Sequence, residues 1–131
     1  MWVSASSETL SISAMIELIP AIDIIGGKCV RLSKGDYDAK KIYDEHPEEV
    51  ARRFEDMGFN RLHVVDLDGA KASHIVNIDV LEKITTQTGL TVDFGGGIKA
   101  ESDLRAAFDH GAAMVTVGSL AATQPETVLQ W

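Results

Sequence analysis

Residues 91–103 read TVDFGGGIKAESD. A short apolar run ends in an acid, three glycines follow, and a polar stretch with the character of a helix start comes next. Strand, glycine turn, helix is the order of a βα unit, and it decides how the rest of the chain is read. Glycine loses more backbone freedom on folding than any other residue, so three in a row need a reason. A tight turn is one. A ligand is the other, because bare amides ahead of a helix N-terminus can hold a phosphate with no side chain in the way. The run is not a P-loop and not GxGxxG.

The same unit recurs on both sides. PEEVARRFEDM (47–57) predicts a helix, with Pro47 at its first position, Glu48 and Glu49 at its positive end, and Val50, Phe54 and Met57 on one face before Gly58. The strand RLHVVD (61–66) follows. NIDVLEKITTQT predicts a second helix capped by Asn77, with Val80, Leu81 and Ile84 inward and Gly89 after it, and then the strand LTVDF (90–94). A third helix over 101–110 turns Leu104, Ala107 and Phe108 inward and stops at Gly111, ahead of the strand AMVTVG (113–118). A fourth helix opens at Thr123–Glu126. With IELIPAID in front, the alternation builds a parallel sheet, and HVVD, VDF and MVTV are apolar enough for burial on both faces. A doubly wound sheet and half of an eightfold barrel both fit.

Two segments stand outside the repeat. Residues 24–46 hold a strand-like KCVRL and a polar, glycine-bearing stretch, expected to be a lid, a binding loop or disordered. Residues 1–14, MWVSASSETLSISA, lack the basic start and apolar core of a secretory signal. They read as a disordered or non-native extension, with Met15 opening a single domain over 15–131.

Composition excludes several function classes. The 131 residues are 45% hydrophobic with a formal net charge of −8, so the chain has core enough for one domain and no basic footprint for nucleic acid. The longest apolar run, AAMVTV, is too short to span a membrane, and a cytoplasmic location is the simplest expectation. The single cysteine, Cys29, permits no intrachain disulfide and reads as a small apolar strand residue. No HxH or HExxH spacing occurs, so no metal is expected.

Sites in parallel α/β folds lie at the carboxyl ends of strands. Those ends carry Asp23, then Asp66 and Asp68, then Asp93 with Gly95, Gly96 and Gly97, then Gly118 and Ser119. Two neighbouring glycine turns, the second with a hydroxyl, would cradle one phosphate. Asp23 ends a strand that must be buried, and burial raises a carboxyl pKa toward the range of acid–base work. The plainer alternative is a carboxylate that caps a turn or pairs with Arg31 or Lys28. Asp66 and Asp93 compete for the same role. His63, inside a strand, reads as packed or paired.

IELIPAIDIIGGKCVRLSKGDY, LHVVDLDGAK, VDFGGGIK and MVTVGSLA, in this order, resemble the histidine-biosynthesis isomerases that turn the N′-(5′-phosphoribosyl)formimino aminoimidazole carboxamide ribotide from aminoaldose to aminoketose. The resemblance runs from Met15 to Trp131. It implies a TIM-type (β/α)8 barrel made of two half-barrels, of which this chain is the N-terminal (βα)4 half. It implies an Amadori rearrangement of a bisphosphorylated substrate without cofactor, with Asp23 as base, Arg31 near the substrate, and Gly96, Gly97, Gly118 and Ser119 holding one phosphate. The partner carboxyl group and the second phosphate site belong to the other half, so the 131 residues alone are expected to be inactive. Their open sheet edges are expected to self-associate or to take up a C-terminal half-barrel. Gly26 stands where many relatives carry an acid, which removes a charge, frees the loop and leaves dual specificity for phosphoribosylanthranilate open. The rival readings are the cyclase subunit of imidazole glycerol phosphate synthase, whose first strand usually ends PCLDV rather than PAIDI, and a non-catalytic phosphate-binding half-barrel.

Overall fold

The computed structural model describes residues 2–5, 16–33 and 36–131. The strands are β1 (Trp2–Ala5), β2 (Ile16–Ile19), β3 (Ala21–Ile25), β4 (Lys28–Ser33), β5 (Asp36–Asp44), β6 (Arg61–Asp66), β7 (Thr91–Gly95) and β8 (Met114–Thr116). The helices are α1 (Pro47–Asp56), α2 (Leu67–Ala72), α3 (Ile78–Gln87), α4 (Glu101–Asp109), α5 (Gly118–Thr123) and α6 (Pro125–Leu129). Six strands form one sheet in the order β5-β4-β3-β6-β7-β8. β3, β6, β7 and β8 run parallel, and β4 and β5 extend the sheet antiparallel beside β3.

The core lies on one side of this sheet. Ile22, Ile24, Leu62, Val64, Val92 and Phe94 are buried there against Val50 and Ala51 of α1, Val80, Leu81 and Ile84 of α3, and Ala107 of α4. Alternate residues point the other way. On that second face Asp23, His63, Val65 and Asp93 are half-buried, and Ala21, Arg61, Thr91, Met114 and Thr116 are exposed. The expected burial of the strands on both faces therefore holds on one face only. Helices on a single face of a parallel sheet are the layering of a half-barrel, which separates it from the doubly wound alternative.

Local expectations shift where tertiary pairing competes with sequence pattern. Residues 24–46 form no free lid: KCVRL and the segment after it fold into the β4–β5 hairpin, locked to α1 by Arg53 on Asp44 at 2.7 Å. The turn after β6 winds into the unforeseen α2, because the Asp66 carboxylate accepts the Gly69 amide at 2.9 Å and caps it. Gly118 and Ser119 open the short helix α5 rather than a turn. Met57, just past the end of α1, and Phe108 on α4 face solvent instead of the core. Within the 1–14 extension, Trp2–Ala5 pairs antiparallel with β2, so that part is a strand. Residues 6–14 lie outside the described residues, as does Met15. No helix among the described residues is long and apolar enough to cross a membrane.

Candidate active site

Strand register fixes which side chains share a level. Asp23 pairs with Val65, Val65 with Gly95, and Gly95 with Thr116, which makes one row toward the carboxyl ends of all four parallel strands, although β3 continues two residues past Asp23 to Ile25 rather than ending there. Adjacent strands lie about 4.8 Å apart, so the Asp23 and Gly95 backbones are about 10 Å apart on the same rim. The row beneath runs Ala21, His63, Asp93, Met114. Residues of both rows sit on the half-exposed face.

Asp23 is half-buried. Burial pushes its carboxyl above the ordinary range, and the nearby His63 partly offsets this. Neither suggested ion-pair partner takes it: the Arg31 guanidinium lies 5.3 Å from the centre of the Tyr43 ring, and Lys28 reaches Glu45 at 3.4 Å. Asp23 and Arg31 instead line one cleft of about 350 Å³ together with Tyr43. Cys29 is wholly buried, and burial pushes its thiol up to about 11 against the lowering effect of the Tyr43 hydroxyl, which keeps it inert.

The glycine turns wall a second cleft of about 340 Å³, bordered by Gly95, Gly96, Gly97, Thr116 and Gly118, with His63 at its edge. The glycines serve different ends. Gly96 has φ +99°, and a Cβ there would lie 2.2 Å from the Asp66 carbonyl oxygen. Gly97 has φ +86°, and its Cβ would lie 2.5 Å from the His74 carbonyl oxygen. Backbone crowding therefore demands glycine at both positions. At Gly118 an added Cβ meets nothing within 4 Å and φ is ordinary. What glycine does there is leave the cleft open. The Ser119 side chain lies outside the described ones. The helix behind the triple glycine is less available than expected. α4 starts at Glu101, and Asp103 reaches back to take the amides of Ala100 at 3.0 Å and Lys99 at 3.2 Å.

Asp66 and Asp93 leave the competition for acid–base work. Asp66 is fully buried on the helix side, where it accepts Gly69 N–H at 2.9 Å, Val76 N–H at 2.8 Å, and both the backbone and side-chain N–H of Asn77 at 2.7 Å. Every lone pair has work, and that work is structural. Asn77 accordingly stands at the N-cap position of α3 without capping it. Its amide also donates to Asp68 at 2.9 Å and accepts Gly27 N–H at 3.0 Å. Asp68 takes Gly26 N–H at 2.7 Å, so glycine at position 26 does not free the loop; the turn is tied to the next strand end. Asp93 accepts from the Thr116 hydroxyl at 2.9 Å and meets His63 Nδ1 at 2.9 Å. The His63 contact and the Thr116 hydroxyl outweigh burial and hold its carboxyl below the ordinary range. His63 is thus paired, as its place in a strand suggested.

Sequence reasoning passed over Thr116 as a site residue. A lone threonine in MVTV carries no signal until register sets it beside Asp93.

A parallel half-barrel with a carboxyl group of raised pKa and glycine-walled amides on one rim defines a class: barrel proteins that work at their strand tips. Residues 17–131 match the family described as Histidine biosynthesis protein, a family of TIM barrels, and the chain belongs to it. Over 117 residues it is 63% identical to the 1-(5-phosphoribosyl)-5-((5-phosphoribosylamino)methylideneamino) imidazole-4-carboxamide isomerase of Bacteroides thetaiotaomicron, covering 89% of this chain and 49% of the relative. The proteins of the same name in Cytophaga hutchinsonii and Flavobacterium psychrophilum are 60% and 59% identical, with 89% and 88% of this chain and 49% and 48% of the relatives covered. The chain spans about half the length of the curated relatives it matches.

Proposed function

We propose that this chain supplies the base-bearing, phosphate-holding half of an aldose–ketose isomerase site acting on the bisphosphorylated ribotide named in its relatives, in histidine biosynthesis. The observation that carries this reading is the row Asp23–Val65–Gly95–Thr116, which sets a carboxyl group and the glycine turns on one rim and one face. In the reaction a proton leaves C2 of the opened sugar and one is delivered to C1. A carboxylate with a raised pKa is suited to carry it, since proton transfer is most effective near the working pH. Gly96, Gly97 and Gly118 hold one phosphate through amides, with Ser119 beside them. Arg31 shares the Asp23 cleft and would meet the rest of the substrate. The exposed inward face, including Met114, is the surface that a C-terminal half-barrel would close over.

The test joins the 131 residues to the C-terminal half of the Bacteroides thetaiotaomicron relative and assays isomerisation. Turnover is expected from the joined protein and none from the 131 residues alone. Asp23→Asn in the joined protein should lower kcat by about 10²- to 10⁴-fold with little change in substrate binding. Wild-type turnover by that variant would move the base elsewhere.

A further inference from the structure

On the inward face one side-chain chain remains unused by the reading above. Thr116 on β8 donates its hydroxyl to both Asp93 oxygens, at 2.9 and 3.0 Å, and Asp93 on β7 faces His63 Nδ1 on β6 at 2.9 Å. Three adjacent strands contribute one residue each. The contact to a carboxylate requires a proton on Nδ1, so a neutral His63 carries its lone pair on Nε2. An ionised Asp93 cannot donate, and its hydroxyl neighbour is turned toward it, so the polarity of the chain is fixed at both ends. His63 borders both the glycine-walled cleft and a further cleft of about 360 Å³ on the same face, lined also by Arg61, Thr91 and Met114. It stands two residues, about 6.6 Å, below the Gly95 row, on the inward side of the glycine amides. A sugar carried by a phosphate ester on those amides would extend toward that level.

We propose that Asp93 and Thr116 are positioning residues that lock His63 in its Nδ1–H form, so that Nε2 accepts a hydrogen bond from a hydroxyl of the phosphosugar bound in the glycine cleft. This rests on the phosphate reading of that cleft, and the test separates the two. The 131-residue chain is titrated with inorganic phosphate and with ribose 5-phosphate, while long-range proton–nitrogen NMR reports which His63 nitrogen carries the proton.

The wild-type chain should show the Nδ1–H form, bind inorganic phosphate at the Gly96, Gly97 and Gly118 amides, and shift Nε2 only with ribose 5-phosphate. Thr116→Val and Asp93→Asn should each admit the Nε2–H form. His63→Gln should weaken ribose 5-phosphate about 3- to 10-fold more than it weakens inorganic phosphate, the worth of one hydrogen bond to the sugar. Should phosphate bind while His63 sits in the Nε2–H form, or while Nε2 ignores the sugar, the lock is wrong and the phosphate cleft stands. Failure of both probes to bind overturns both; binding of inorganic phosphate without ribose 5-phosphate overturns the His63 lock alone.

Discussion

The two faces of the four parallel strands come from the same residues in alternation, yet they obey different physics. On the helix side, Leu62, Val64, Val92 and Phe94 have no exposure at all. Water has left, and the one charged group buried there among the described residues, Asp66, is held by backbone and side-chain amides. On the inward side, Asp23, His63, Asp93 and Thr116 keep contact with solvent, and the last three with one another. The first face makes the fold and the second is available for chemistry. A strand can do both because its side chains point alternately to opposite sides.

The largest expected contrast is in packing. Phe94→Ala empties a fully buried site and should cost about 3–5 kcal/mol in urea unfolding. Thr91→Ala, on the exposed inward side, should stay within about 0.5 kcal/mol. Equal losses would mean that the inward face is packed as tightly as the core, and the contrast would fail.

The glycines sharpen the same comparison. Gly96→Ala drives a Cβ into the Asp66 carbonyl at a positive φ and should destabilise by about 1–3 kcal/mol or more. Gly118→Ala meets no atom and should leave the melting temperature unchanged or slightly raised while weakening inorganic phosphate binding. Loss of stability at Gly118 with phosphate binding intact would make it a folding residue like its counterpart.

The smallest effects are in pH dependence, and they carry opposite signs. The Asp93 carboxyl lies below its unfolded value, about 3.9, so it adds stability above that pH, lost as pH falls through the folded pKa. The Asp23 carboxyl lies above it, so at neutral pH its ionisation subtracts stability, and that deficit shrinks as pH falls below the raised folded pKa and is gone below the unfolded value. Asp23→Asn should therefore raise the melting temperature at pH 7, and Asp93→Asn should lower it. As pH is reduced, the Asp23 difference should vanish first. Shifts of the same sign would show that the two carboxylates share one environment.

Much of this was legible in the chain before any coordinates. The helices around Val50, Leu81 and Ala107 follow from apolar spacing, and the strand ends follow from where those runs meet Asp or Gly. That placed Asp23, Gly96, Gly97 and Gly118 at one end of the sheet. The hairpin over 28–44, the helix at Leu67–Ala72 and the role of Asp66 were not legible, since each depends on partners distant in sequence. The family match adds the expectation of a shared substrate chemistry without changing which residues face which way.

By itself the sequence determined periodicity, and periodicity determines which elements form and which residues stand at strand tips, because that information is local. Only the tertiary structure decided register, and register alone brings Thr116 to Asp93, Asp93 to His63 and the Gly96 backbone against Asp66. The physical reason is that a one-residue slip between strands leaves every local pattern intact while sending every side chain to the opposite face.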